Sequence, residues 1–186
     1  MSKYFEIGSK RLNISLIEDI ISKNRKIRLS KNSIIKIKKS RNYLEKSVSD
    51  KSLIYGVNTG FGSLCENKIP INQINKLQEN LLVSHACGVG NIIPKDIAKI
   101  ILILKIHALS LGYSGVRLSL INFLIKLYNK DITPVIYEQG SLGASGDLAP
   151  LAHLSLPIIG KGNVYYNGKI ITSKNALKKE NINPIK

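Results

Sequence analysis

Ala144-Ser145-Gly146 can do chemistry with its own backbone. It lies in the run Gly140-Ser141-Leu142-Gly143-Ala144-Ser145-Gly146-Asp147-Leu148-Ala149-Pro150-Leu151-Ala152-His153. The amide nitrogen of Gly146 can attack the carbonyl carbon of Ala144. Loss of one water closes a five-membered ring, and loss of a second turns Ser145 into a methylidene group. The product is a methylidene-imidazolone, an electrophile made from the chain with no external cofactor. Glycine suits the attacking position because it has no Cβ and tolerates strained dihedrals, so its nitrogen can approach closely. Alanine is small enough to leave the turn open. Asp147 is a good N-cap for a following helix and can help position the cyclising backbone. The plainer alternative is a Gly-rich turn before a capped helix. The nucleophile elbow of serine hydrolases is excluded, because G-x-S-x-G does not fit Gly143-Ala144-Ser145-Gly146-Asp147.

Two further segments bear candidate groups. Tyr55 heads Tyr55-Gly56-Val57-Asn58-Thr59-Gly60-Phe61-Gly62, where three glycines, Gly60 among them, let backbone approach a ligand closely. The loop lacks both the P-loop pattern and the G-x-G-x-x-G order. A lone tyrosine is more often a half-buried packing residue with a bonded hydroxyl. His85 stands in Leu82-Val83-Ser84-His85-Ala86-Cys87-Gly88-Val89-Gly90, four residues after Leu81, on or beside an apolar helix face. Alone it would be a packed core histidine. His107 and His153 read as packing or local hydrogen-bonding residues. The histidines lack the spacing of a metal site, and Cys65 and Cys87 form no CxxC pair, so neither zinc nor a disulfide framework is expected.

These three segments, in this order, resemble the signatures of the aromatic amino acid ammonia-lyases, the family of histidine, phenylalanine and tyrosine ammonia-lyases and related aminomutases. The resemblance runs over nearly the whole chain but only over the family's N-terminal part. It implies that Ala144, Ser145 and Gly146 form the electrophile. It makes Tyr55 the general base that removes the substrate's β-proton, a task for which the ordinary tyrosine pKa of about 10 is too high without nearby positive charge or helix dipoles. Ser84-His85 points to the histidine ammonia-lyase branch, with His85 as partner of the substrate imidazole and urocanate and ammonia as products. Phenylalanine or tyrosine lyase and aminomutase chemistry remains the alternative within the family. Tyr137 departs from the family, which usually has a proline there. The resemblance places the arginine for the substrate carboxylate, an Asn-Gly-Thr segment and a long helical bundle beyond the end of this sequence. The expectation is therefore a truncated chain with little activity alone, completed by a homotetramer or a separate C-terminal half. A non-enzymatic basic remnant is the other reading.

Composition sets the wider bounds. At 186 residues and 44% hydrophobic, the chain suits one globular domain, taken here as residues 1–186. The net charge of +16 would attract anionic partners. Its basic residues are spread along the chain, densest from Lys23 to Arg41 with no aromatic interleaving, which argues against specific nucleic-acid binding. The start of the chain lacks the apolar run of a signal peptide, and Ile97 to Leu111 is too short and too charged to span a bilayer. A cytoplasmic protein without a membrane partner is expected.

The elements that must position these groups are mainly helical. Ser15 is expected to cap a helix through Ile21, and Ser30 a longer one through about Lys46. Pro70 suits the first turn of a helix whose face carries Ile71, Ile74, Leu77, Leu81 and His85. Pro94 opens another that Gly112 ends, and Val116 to Tyr128 forms a fourth. Asp147 should cap a helix that Pro157 ends, and a last helical pattern starts at Ser173. Asn167-Gly168 predicts a hairpin turn, and Tyr4 to Leu12 a short β piece. The fold class is mainly α: the N-terminal domain of the ammonia-lyase fold, with short β-hairpins and without the bundle.

Overall fold

The computed structural model describes residues 4–50, 52–144 and 146–185. In chain order its elements are β1 (Tyr4–Ile7), α1 (Ile14–Ser22), β2 (Lys26–Leu29), α2 (Lys31–Ser49), α3 (Ile74–His85), β3 (Val89–Ile92), α4 (Lys95–Ser110), α5 (Leu118–Asn129), β4 (Thr133–Pro134), β5 (Tyr137–Gln139), α6 (Ala149–Ser155), β6 (Asn163–Tyr166), β7 (Lys169–Thr172) and α7 (Ser173–Lys179). Short 3₁₀ turns precede α3 and follow α6.

α4 and α5 make the centre. α4 buries Ala98, Leu102, Ile106 and Leu109, spaced by three or four residues, so one stripe faces inward. α5 answers with Ile121, Leu124 and Tyr128. Lys99 is buried on α4, where its ammonium pairs with the Asp131 carboxylate at 3.0 Å and lies 5.2 Å from the centroid of the Tyr128 ring. Burial, and secondarily the Asp131 charge, push the Tyr128 hydroxyl up to about 12.

β1 and β2 pair in parallel and alternate strictly, with Phe5, Ile7, Ile27 and Leu29 facing the core. Asn129, at the end of α5, acts as a surrogate strand neighbour. Its side chain accepts from Ile27 N–H at 2.8 Å and donates to Ile27 C=O at 2.9 Å. β3 pairs antiparallel with β5, and β4, β6 and β7 form a three-stranded sheet. β6 and β7 turn through Asn167 and Gly168 at φ 49° and 73°, as the Asn-Gly signal predicts.

Several expectations shift. α1 is capped by Asn13, whose Oδ1 accepts from Leu16 N–H at 2.9 Å, so Ser15 lies inside the first turn. Asparagine caps as well as serine, and the earlier residue wins. α2 is capped by Ser30 but runs to Ser49. α5 begins at Leu118 because Gly115 sits at φ +62° and Arg117 is extended. α6 begins at Ala149, two residues after Asp147. The N-terminal β piece is present but stops at Ile7, and it pairs in parallel with β2. Among the described residues no helix is long and apolar enough to cross a membrane.

Candidate active site

The Tyr55 loop is built around its own side chains. Asn58 is buried; its Oδ1 accepts from Ile54 N–H and its Nδ2 donates to Ser52 C=O, both at 2.8 Å. Thr59, also buried, donates to Gly60 C=O at 2.9 Å. A Cβ on Gly60 would meet Leu64 O at 2.5 Å and Leu64 Cβ at 2.7 Å, so glycine is demanded here by a close backbone crossing. These contacts leave Tyr55 at the loop's surface, 62% exposed. Its oxygen accepts from Gly62 N–H at 3.3 Å, and its ring meets Phe61 edge-on at 5.8 Å. Gln78, on α3, donates to Gly56 C=O at 3.1 Å and fastens the loop to that helix.

α3 presents Ile74, Leu77, Leu81 and His85 half-buried on one face, as their spacing predicts, while Ile71 lies exposed in the preceding 3₁₀ turn. His85 Nδ1 lies 2.8 Å from Leu81 C=O and 3.2 Å from Ser84 Oγ. A carbonyl oxygen only accepts, so in the neutral ring Nδ1 carries the proton and Nε2 is the acceptor.

Past His85 the chain turns, and Gly88 N–H donates to His153 Nε2 at 2.9 Å. His153 is buried on α6 with Tyr137 edge-on at 5.0 Å. Burial pushes its pKa down and keeps the ring neutral, as an acceptor must be. Its partner is 65 residues away, so the bond is long-range where a local one was expected.

The 140–147 loop is closed by Asp147. Oδ1 accepts from Ser141 N–H at 2.8 Å, Ser141 Oγ at 3.3 Å and Ala149 N–H at 3.1 Å. The Ser141 backbone bond is the main cause that holds this carboxyl below the usual range. The carboxylate therefore still caps α6, from two residues before it. Ala144 and Gly146 are exposed; Gly146 sits at φ +86°, and its N–H donates to Gly143 C=O at 3.0 Å. Ser145, the residue on which the ring chemistry centres, lies outside the described residues.

The three motifs are thus joined through α3 and α6, which pack together. Among the described residues no hydrogen bond links Tyr55 or His85 to Ala144 or Gly146. Asn58, Gln78 and His153, which do the fastening, were not singled out as site residues from sequence. Asn58 and His153 gave a signal by standing inside the quoted Tyr55 and Gly140–His153 runs, whereas Gln78 gave none. A groove of about 1100 Å³ lies elsewhere, against Leu81, Leu82, Lys105, Leu120 and Leu154, and none of Tyr55, His85, Ala144 or Gly146 lines it. No cluster of His, Cys, Asp or Glu among the described residues could hold a metal ion.

The profile of the aromatic amino acid lyase family matches residues 12–186. The histidine ammonia-lyase of Legionella pneumophila strain Corby is 43% identical over 185 residues, which cover 100% of this chain and 37% of that protein. Histidine ammonia-lyase 1 of Fusobacterium nucleatum is 44% identical over 179 residues, covering 96% and 35%. Among solved structures, the phenylalanine aminomutase of Pantoea agglomerans matches with TM-score 0.90 at 32% identity, over 99% of this chain and 35% of that one. The histidine ammonia-lyase of Trypanosoma cruzi matches with TM-score 0.88 at 31% identity, over 98% and 36%. The chain therefore spans little more than a third of the length of the curated relatives it matches.

Proposed function

The chain belongs to the aromatic amino acid lyase family, and from that premise we propose that it carries the electrophile-forming and substrate-recognising part of a histidine ammonia-lyase, converting L-histidine to urocanate and ammonia. The observation that carries this reading is the fastening of three motifs to one helix pair. Gln78 holds the Tyr55 loop on α3, and His153 holds the residues after His85 on α6, the helix that follows Ala144-Ser145-Gly146.

The residues present fit a ring made from the chain. Among the described residues outside its chain neighbours, a Cβ at Gly143 or Gly146 would meet nothing within 4 Å, so neither glycine is crowded by the rest of the fold. Gly146 already adopts a left-handed conformation that side-chain-bearing residues rarely take. Ala144, Ser145 and Gly146 would hold the methylidene-imidazolone, which when formed supplies an electrophile that makes an α-amine a better leaving group. Tyr55 takes the β-proton; its exposed hydroxyl is reachable, and Gly62 N–H orients its oxygen. His85 accepts through Nε2 from the substrate imidazole N–H, because Leu81 holds the proton on Nδ1.

We read residues 1–186 as one electrophile-bearing domain of a cytoplasmic homotetramer. Two free, exposed cysteines fit a reducing compartment. By themselves these residues should have little or no lyase activity, since nothing in the reading supplies an arginine for the substrate carboxylate. Likeness to the Pantoea agglomerans phenylalanine aminomutase supports a second reading, the same electrophile acting on another aromatic amino acid; His85 favours histidine.

The test is co-expression of this chain with the part of the Legionella pneumophila relative that it does not cover. Urocanate formation that is lost in Ser145→Ala and in Tyr55→Phe supports the reading. Urocanate formation untouched by Tyr55→Phe removes Tyr55 as the base. Turnover by the 186 residues alone, abolished by Ser145→Ala, overturns their dependence on a completing part.

A further inference from the structure

We infer that Gly140 is a positioning residue for ring closure: its missing side chain leaves the space in which the Asp147 carboxylate sits while it ties together the two ends of the 140–147 loop. The inference rests on the ring-forming reading of Ala144-Ser145-Gly146, and its tests separate the two.

The loop's glycines are required for different reasons. Gly146 has a positive φ, and a Cβ on it would meet none of the described residues beyond its chain neighbours within 4 Å, so its demand is conformational. Gly140 has no such φ, but a Cβ built on it would fall within the Asp147 carboxylate, against Oδ1, Oδ2 and Cγ together. Its demand is purely for room. The carboxylate cannot yield without giving up Ser141 N–H at 2.8 Å on one side of the loop and Ala149 N–H at 3.1 Å on the other. Charge-assisted bonds of this kind are the stronger ones.

Ring closure explains why such a clamp matters. The Gly146 nitrogen forms a bond to the Ala144 carbonyl carbon and its proton passes to the carbonyl oxygen. The resulting hydroxyl leaves as water with the proton of the Ser145 N–H, and a C=N double bond forms between the Ala144 carbon and the Ser145 nitrogen. The Ser145 Cα–H and Cβ–OH then leave as a second water. No oxidant or reductant is needed. Before attack, the Gly146 N–H must release Gly143 C=O, to which it donates at 3.0 Å. Once that bond opens, the Asp147 clamp is what keeps the loop short and its ends together. Holding reacting atoms in one small loop is the usual source of intramolecular rate.

The experiment uses the full 186-residue chain and its Gly140→Ala, Asp147→Ser and doubly substituted forms. It follows the loss of two waters by intact mass after synthesis, and hydrogen exchange at the Ser141 and Ala149 amides. Gly140→Ala should slow ring closure roughly tenfold or more, the cost of a hydrogen bond to a charged group. It should also lose protection at those two amides while the α4 and α5 amides keep theirs. Serine at 147 removes the clash, so the double variant should close no more slowly than Asp147→Ser alone. This comparison decides the matter even if Gly140→Ala fails to fold. Wild-type closure and protection in Gly140→Ala, or a further slowing when it is added to Asp147→Ser, overturns the inference. An unmodified wild-type mass overturns the ring-forming reading and removes the reaction Gly140 would serve; the exchange arm then still decides whether Gly140 seats Asp147.

Discussion

The main-chain N–H of Gly88 donates to Nε2 of His153 at 2.9 Å, and this bond fixes the end of α3 against α6. It requires a neutral imidazole, because a protonated ring has no acceptor to offer.

That requirement gives a pH dependence with a definite sign. Burial holds the His153 pKa below its ordinary value in the folded chain. A depressed histidine contributes stability that is full above the unfolded value, about 6.5, and is lost as pH falls through the lower folded value. Melting temperature should therefore fall on acidification across this range, and less steeply in His153→Gln, whose side-chain oxygen still accepts from Gly88 without titrating. His153→Leu leaves the Gly88 N–H without its partner and should cost about 1–3 kcal/mol. An unchanged pH profile in His153→Gln would assign the acid sensitivity to another group.

Gly60 should be intolerant of any side chain. Its Cβ would press on the Leu64 carbonyl and Cβ, and backbone cannot swing aside as a side-chain tip can. Gly60→Ala should destabilise by about 1–3 kcal/mol, the usual cost of overpacking. It should also raise hydrogen exchange at Ile69, whose N–H donates to Asn58 C=O at 2.9 Å. Wild-type stability in Gly60→Ala would mean that the loop crossing is looser than described.

In a completed enzyme, His85→Phe should shift preference from histidine toward phenylalanine. A site that hydrogen-bonds its substrate rejects an analogue lacking the bond far more strongly than an apolar pocket rejects an extra polar group. Ratios of kcat/KM for the two substrates check this. An unchanged ratio would remove His85 from substrate selection.

What was legible in the sequence was local. The face of α3 follows from residues three and four apart, and the Asn167-Gly168 turn from two residues alone. Ser30 announces α2, and its Oγ does accept from Ser33 N–H at 3.1 Å. The illegible features depend on distant partners. β1 and β2 are four residues each and stabilise only one another's edges and the core, so neither periodicity nor length marks their parallel pairing. Asn129 shows no sign that it will bond Ile27, 102 residues away. Gly140 reads as one more glycine in a glycine-rich run, because its reason is a volume that only the folded loop defines. The candidate site was legible as motifs, but the contacts that fasten those motifs, from Gln78 and His153, were not.

The central claim is that Ala144-Ser145-Gly146 is a ring-forming sequence in a chain folded well enough to use it. The intact mass of the purified, soluble 186-residue chain tests it most directly. The account predicts a deficit of two waters, localised by fragmentation to residues 144–146 and absent in Ser145→Ala. An unmodified mass in the folded wild-type chain would contradict it and leave the run as a plain turn before α6.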